Sequence, residues 1–515
     1  MPYSVRNRMT RGASMGEAQI PQPPTVVVLG LPFHNVTFAE TVAWARDRIR
    51  SRRPGYIATA NIDFVMQARR DPELQRILLE ADLVVADGIP IVWLSGWLGP
   101  RLKARVTGSD LVPMFAEMAR DNGFSLFNLG GAPGVAEKAA AVLVQRYSGL
   151  RIAGCYSPPK ADVLNMNHAD ILARLETAQP DLLLVAFGSP KQEKWVNLNV
   201  GRLKVPVSIG IGGSLDFLAG TQTRAPKLVQ RLALEWLWRM FSDPPRLFRR
   251  YVGNIGFFFS TVLQLAAARI KTDHAEKSIV DATATGAELR RLSHLEPFVR
   301  LGDDSQAAAF RDRLAALPDS RPIVLDLAGV PWLSSLELGV VLRLTTFCRA
   351  RNQALILTGV GARVQRLLTL YRLTEYLEIA DSAGVVAAAV SASDASAAEG
   401  RIGRDENGRL VARLPLELTA ANLDGFKQLW ESCPDLTTAH EWILDASLTR
   451  FVDSAALGFF MGLKKRATEA GLPLRITGLQ PRIRQIFRIG RVEAALLEPE
   501  APSAGATASP PPAPR

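Results

Sequence analysis

The chain has 515 residues, too many for one ordinary hydrophobic core, and its 48% hydrophobic and 22% charged residues exclude a wholly disordered or fibrous protein. Its three cysteines, Cys155, Cys348 and Cys433, stand far apart with no Cys-x-x-Cys or Cys/His spacing, which excludes a disulfide framework and a zinc site and fits a reducing cytoplasm. The net charge of +11 admits nucleic acid, anionic lipid or a phosphorylated ligand as partner, and the position of the charge decides among them.

Residues 1–23 lack the apolar run of a secretion signal and read as a disordered lead. From residue 25 to about 215, the runs TVVVLG, GYIATA, LVVAD, FSLFNLG, RIAGCY, LLLVAF and VSIGIG alternate with helical patterns. Strands that are apolar on both faces, separated by amphipathic segments, predict an α/β domain with a Rossmann-like parallel sheet covered on both sides. Ligands bind such sheets at the carboxyl ends of the strands. Asp87 in LVVADGIP stands at one of those ends, although Asp-Gly is also a common turn pair.

Three Gly-rich strand ends follow. NLGGAPGVAEKAA, with Gly130 and Gly131, is a strand, turn and helix start of a kind that presents backbone N–H groups to phosphate, and many such turns bind nothing. AFGSPKQEKWV places Gly188 in a turn and predicts a helix opened by Ser189, with Pro190 at its first position and a capping box from Ser189 to Gln192. Lys191 is not explained that way, because a cation in the first turn opposes the helix dipole unless an anion such as a diphosphate sits there too. IGIGGSLDFLAGTQTRAPK adds Gly213, Asp216 and Arg224 to the same rim. No Asp-x-Asp pair occurs in this part of the chain, so the usual means of holding a metal against a nucleotide diphosphate is missing and positive charge falls to Arg and Lys.

Between Thr221 and Lys271, nine Lys/Arg face only Glu235 and Asp243, which places most of the positive excess in one tenth of the chain. The interleaved Trp236, Trp238, Phe241, Phe248, Tyr251 and Phe257 to Phe259 favour a membrane surface over nucleic acid. Residues 251–268 carry no charge and reach the lower limit of a spanning helix, and Asn254, Ser260, Thr261 and Gln264 favour an interfacial helix instead. The last part repeats itself: RPIVLDLAGVPWLSSLELG is echoed by EWILDASLTRFVDSAALG, each an apolar strand ending in Leu-Asp, a loop and a Ser-containing helix start, followed by a second strand and helix. SASDASAAEG at 391–400 reads as a linker between the copies, and 500–515 as a disordered Pro/Ala tail.

TANIDFVMQARRDPELQRILLEADLVVADGIPIVW, RVTGSDL, FNLGGAPGVAEKAA, PDLLLVAFGSPKQEKWV and GGSLDFLAGTQTRAPKLVQRLALEWLWRMFSDPPRLFRRY together resemble, in order and spacing, the WecG/TagA/CpsF family of glycosyltransferases over roughly residues 26–265. The resemblance implies an inverting, metal-independent enzyme without cofactor that moves a sugar, of N-acetylmannosamine type or a related hexose, from a UDP-sugar to a polyprenyl-diphosphate-linked sugar in surface polysaccharide synthesis. It implies Asp87 as general base, Thr59 and Asn61 on the acceptor side, and Arg239, Arg246 and Arg249 closing over the diphosphate at the membrane. Gly130, Gly131, Gly188, Lys191, Gln192, Glu193, Gly213, Asp216 and Arg224 are the expected donor-side residues. The repeated units are similar to STAS domains, whose loop Asp-Ser can be phosphorylated. The second copy keeps Asp453-Ser454, making Ser454 the candidate, with a helix N-cap as its plainer role. The first copy is degenerate, with Ser334 in the Asp position and Ser335 after it.

The expected domains are therefore a transferase at 24–235, a basic membrane appendage at 236–271, and STAS-like units at 277–390 and 401–499, the latter two regulating or recruiting a protein partner. The expected location is the cytoplasmic face of the inner membrane, bound peripherally. The rival readings are a catalytically inactive scaffold acting through its STAS-like units; an epimerase or dehydrogenase, against which stands the missing dinucleotide fingerprint; and a nucleic-acid binder.

Overall fold

The computed structural model describes residues 23–223, 263, 288–291, 297–300, 323–330, 332–351, 353–380, 400–433, 436 and 438–497. The predicted lead up to residue 22, the basic appendage apart from Leu263, residues 391–399 of the linker and the tail at 500–515 lie outside them. Two compact bodies are present, one holding the described residues up to 380 and the other those from 400.

Six of the seven predicted runs form one sheet. These are β3 (Gly55–Ala60), β4 (Leu83–Ala86), β5 (Ser125–Gly130), β6 (Arg151–Tyr156), β7 (Leu182–Ala186) and β8 (Val207–Gly210), all parallel, in the order β4-β3-β8-β7-β5-β6. Helices α2 (Ile62–Ala68), α3 (Pro72–Glu80), α4 (Ile89–Leu98), α7 (His168–Ala178) and α8 (Lys191–Leu198) pack on one face. Helices α1 (Phe38–Arg50), α5 (Gly108–Asn122), α6 (Val135–Arg146) and α9 (Ser214–Leu218) pack on the other. Burial on both faces is why five of these strands read as continuous apolar runs, while β6 at the sheet edge is partly exposed.

TVVVLG does not join that sheet. Its β1 (Thr25–Val28) pairs antiparallel with β2 (Leu31–His34) through Leu29-Gly30, both at positive φ as a two-residue hairpin turn requires. The hairpin lies along the sheet edge, where the His34 Nδ1 accepts the Val84 N–H of β4 at 2.9 Å. Burial lowers the His34 pKa to about 4, so the ring stays neutral and keeps the lone pair that this bond needs.

The first repeat adds β9 (Glu288–Arg291), β10 (Pro297–Arg300), β11 (Ile323–Asp326), β12 (Leu355–Thr358) and β13 (Glu378–Ile379) in the order β10-β9-β11-β12-β13, with α10 (Ser335–Ala350) and α11 (Ala362–Leu370). It shares a core with the transferase-like half: Leu338, Val341, Leu342 and Leu368 belong to the same apolar cluster as Val26, Leu31, Leu74 and Leu78. Polar contacts close the seam. Arg69 of the α2 end donates to the Leu370 carbonyl at 2.9 Å, Gln75 of α3 to Tyr371 and Arg372 carbonyls, and Ser335 Oγ to the Leu98 carbonyl at 3.1 Å.

The second repeat contains β14 (Arg401–Arg404), β15 (Leu410–Arg413), β17 (Trp442–Asp445) and β19 (Leu474–Thr477) in that order, a β16 (Glu417–Leu418) to β18 (Phe451–Val452) pair, and helices including α12 (Leu423–Glu431) and α13 (Ser454–Glu469). The predicted duplication holds for the Leu-Asp strand and the strand after it, while the strand on the other side of the Leu-Asp strand is antiparallel in the first repeat and parallel in the second. Asp326 and Asp445 each end a strand paired in parallel to one ending in Thr358 or Thr477, and each accepts the N–H two residues on, from Ala328 and Ser447.

A Cβ added to Gly339 of α10 would lie 2.2 Å from the Thr25 carbonyl oxygen. Alanine in a helix interior ordinarily gains up to about 1 kcal/mol over glycine. Here overpacking against backbone, costing about 1–3 kcal/mol, outweighs that gain. Gly339→Ala should therefore lower the urea midpoint of the full chain, read on the transferase-like half; an unchanged midpoint would show that helix and hairpin separate freely.

Candidate active site

Because all six strands are parallel, their carboxyl ends form one rim, and the chain leaves β3 for one face of the sheet and the neighbouring β8 for the other, which opens a crevice between them. Asn61 follows β3 as the N-cap of α2, its Oδ1 accepting the N–H groups of Asp63 and Phe64 at 3.0 and 3.2 Å. Its Nδ2 makes no hydrogen bond among the described residues. Asp87 follows β4, partly exposed, with its N–H on the Ala60 carbonyl at 2.9 Å. A Cβ on Gly88 would stand 3.8 Å from the Asn61 Cβ, so the two strand ends carry Asn61 and Asp87 side by side. Thr59 is buried and donates its hydroxyl to the Gly210 carbonyl at 2.9 Å, which ties β3 to β8 at the mouth of the crevice.

RVTGSDL comes back to the same place. The Val106 N–H reaches the Ala86 carbonyl at 2.8 Å, and Thr107 caps α5 by accepting the Asp110 N–H. A Cβ on Gly108 would lie 3.3 Å from Thr59 Oγ1 and 3.5 Å from Ile211 Cα, which sets the amino end of α5 between β3 and β8. Arg105 enters here, one residue before Val106, with its Nη2 3.8 Å from the Asp110 carboxylate and its side chain 20% exposed. The sequence reading did not single out Arg105; a cation just ahead of a Thr-Gly helix start at a strand end was its signal.

On the donor side, Gly130 has φ 110°, and a Cβ there would lie 2.8 Å from the Ala186 carbonyl oxygen, so only glycine lets the ends of β5 and β7 close up. Gly131 donates its N–H to Ala186 and Gly188 turns the chain after β7. The predicted capping box from Ser189 to Gln192 is absent. The Ser189-Pro190 bond is cis, Pro190 holds the N-cap position without a side-chain cap bond, and Gln192 is turned elsewhere. Gln192 is buried, accepts the Gly212 N–H at 3.1 Å and donates to Glu193 at 2.8 Å, so it braces the loop that carries Gly213. Lys191 stands 5.3 Å over the Phe187 ring, with a pKa lowered by partial burial. Asp216 accepts the Thr221 hydroxyl at 3.2 Å. Arg224, Arg239, Arg246 and Arg249 lie outside the described residues.

Beneath the rim are two buried charge sites. Glu193 is fully buried, its Oε1 receiving the Gln192 amide and the Tyr56 hydroxyl at 3.3 Å while Oε2 has no partner among the described residues, and burial raises its pKa to about 7. Lys194 Nζ lies 2.7 Å from Asp71 and 2.8 Å from Glu73, all three nearly buried, joining α8 to the start of α3. Burial disfavours its charge, yet the two carboxylates outweigh that and raise its pKa. Sequence reading missed this ion triad, whose lysine stands over a hundred residues from its two acids in the chain.

In the second repeat the N-cap is Asp453, not Ser454: Asp453 accepts the Ala455 and Ala456 N–H groups at 2.9 and 3.1 Å and that of Ala420 at 2.8 Å. Ser454, the phosphorylation candidate, opens α13 and is 6% exposed. In the first repeat Ser334 caps α10 in a capping box with Glu337.

Comparison with known proteins finds matches in both parts of the chain. The model of the glycosyl transferase WecG/TagA/CpsF family matches residues 26–271, and that of the Mlab, STAS domain matches 302–380 and 413–498. The N-acetylglucosaminyldiphosphoundecaprenol N-acetyl-beta-D-mannosaminyltransferase of Staphylococcus aureus strain MRSA252 is 30% identical over 226 residues, 44% of this chain and 87% of the relative. The protein of the same name from strain MW2 is 29% identical over the same shares.

The raised pKa of Glu193 fixes a sign. Between about 4.5 and about 7 the folded chain holds a proton that the unfolded chain has lost, so this group's contribution falls as pH rises and its penalty is complete above about 7. Glu193→Gln keeps an Oε1 acceptor and removes the buried charge. Its melting temperature should exceed that of the native chain at pH 8 and match it near pH 4.5, as measured by calorimetry across pH.

Proposed function

From a chain that belongs to the WecG/TagA/CpsF family of glycosyl transferases, we propose an enzyme that moves an N-acetylmannosamine-type sugar from UDP to a sugar hydroxyl on polyprenyl diphosphate, with inversion and without a metal. The observation that carries the reading is the pairing of Asp87 with Asn61 at adjoining strand ends beside the crevice. The acceptor oxygen attacks the anomeric carbon from the side opposite UDP, the bond from that carbon to the diphosphate oxygen breaks, and Asp87 takes the hydroxyl proton. The Asn61 amide orients the acceptor, and Thr59 holds the β3 and β8 ends at the spacing both substrates need.

UDP lies along the Gly130-Gly131, Gly188 and Gly213 turns, where the missing side chains let its diphosphate come close to the backbone, and Lys191 meets its oxygens. Gln192 and Glu193 act from beneath by fixing the Gly212-Gly213 loop, and Asp216 from its far side. Arg105, Arg224, Arg239, Arg246 and Arg249 supply the charge that stabilises the departing diphosphate, for which the planar guanidinium fork suits better than an ammonium. The relatives' name specifies an acceptor on diphosphoundecaprenol, which favours the cytoplasmic membrane face and a role in surface polysaccharide synthesis. Among the described residues no helix is long and apolar enough to cross a membrane. The second STAS-like unit, in a body of its own, recruits a protein partner, with Ser454 as the residue whose phosphorylation would have to open α13.

UDP release on liposomes bearing a polyprenyl-diphosphate-linked sugar, across a panel of UDP-sugars, tests the reading. Asp87→Asn should lower kcat by about 10²–10⁴ with UDP-sugar binding retained. Equal turnover by that variant would remove Asp87 from the chemistry. Chelator should leave the rate unchanged, and a strict need for Mg²⁺ or Mn²⁺ would overturn the metal-free mechanism.

A further inference from the structure

Helix α4 begins at the Asp87-Gly88 turn and shows the solvent two tryptophans one turn apart, Trp93 at 62% and Trp97 at 37% exposure. Outside residues 288–300, no other Phe, Tyr or Trp side chain among the described residues is exposed. Ile91, Val92 and Leu94 face the core, and Ser95 pins the returning chain by donating to the Val92 carbonyl at 2.8 Å and accepting the Leu102 N–H at 2.9 Å. From Gly88 to Arg105 the chain has no acid and three cations, Arg101, Lys103 and Arg105. Lys103 pairs with Glu40 at 2.8 Å, whereas Arg101 is exposed and makes no ion pair among the described residues.

Two exposed indoles beside the exposed cation Arg101 have the chemistry of a surface that lies at the headgroup level of an anionic bilayer. Position argues the same way, and here the inference rests on a lipid-borne acceptor. A sugar tethered to a membrane by a diphosphate reaches Asp87 only if the bilayer comes within a headgroup's length of it. At 1.5 Å per helical residue, Trp93 stands roughly 9 Å along the chain from Asp87. We propose that the outer face of α4, with Trp93, Trp97 and Arg101, docks on anionic lipid and sets the height of the crevice above the bilayer, as a contact separate from the basic segment at 236–271.

Flotation of the full chain with phosphatidylcholine–phosphatidylglycerol vesicles, without substrates, tests this. Trp93→Ser/Trp97→Ser should bind at least about tenfold more weakly, since two indoles lose their burial in the interface. The double Phe variant should retain most of the binding, and Val142→Ser/Val144→Ser on α6, at positions 38% and 42% exposed, should not change it. Transfer to an acceptor in vesicles should fall with the double Ser variant, while transfer to a water-soluble short-chain acceptor stays as in the native chain. Native-like vesicle binding by the double Ser variant, or no vesicle binding by the native chain, overturns the proposal. So does self-association in sedimentation velocity that the Ser variant loses, because the face would then be a contact between copies. Lost vesicle binding in a chain that transfers no sugar at all would sink the proposed activity and leave this surface standing.

Discussion

One continuous apolar core governs the first body. It starts at the β3 and β4 side of the sheet, runs through α2, α3 and α4, and passes by the β1–β2 hairpin into α10 and α11 of the first repeat. Each large side chain that it removes from water contributes about 1.5–3 kcal/mol, far more than the hydrogen bonds at the seam. The two helices that carry Asn61 and Asp87 at their starts are therefore clamped from both sides. The candidate base stands at the rim with partial exposure, but the element behind it is fixed at its far end by Ser335 on the Leu98 carbonyl. Pre-organisation of that kind is what a proton transfer at a fixed distance requires.

Charge is sorted by depth. Glu193 and the Lys194–Asp71–Glu73 triad lie under the rim and hold loops and helices together. Burying them is costly, and they are retained where a shared polar anchor sets the spacing between elements. Asp87, Arg105 and Lys191 lie at the rim itself, where water reaches them.

The parallel sheet and the duplicated Leu-Asp units were legible because they depend on local patterns: apolar runs of strand length, turn glycines and a repeated phrase. The hairpin was not legible. TVVVLG reads like any buried strand, its partner is settled by what lies across space, and a leucine at positive φ in the turn carries no sequence signal. The Ser189 capping box failed for a similar reason, since Ser-Pro-x-Gln matches the pattern while Gln192 has a stronger partner in the Gly212 N–H. Of the site, the rim residues could be read from strand ends. Lys194 depends on neighbours distant in sequence, and the fusion of the first repeat with the transferase depends on an apolar seam that composition cannot assign to either side.

The seam also bears on ancestry. A module joined by a linker can be gained or lost with little consequence, but here a glycine in α10 touches the Thr25 backbone and a serine ends α4. Once the hairpin's outer side has become apolar, losing the first repeat would expose it to water. The join works as a ratchet: easy to drift into and hard to leave. The copy locked in the seam has Ser334 at the position where the second copy, held in a body of its own, has Asp453.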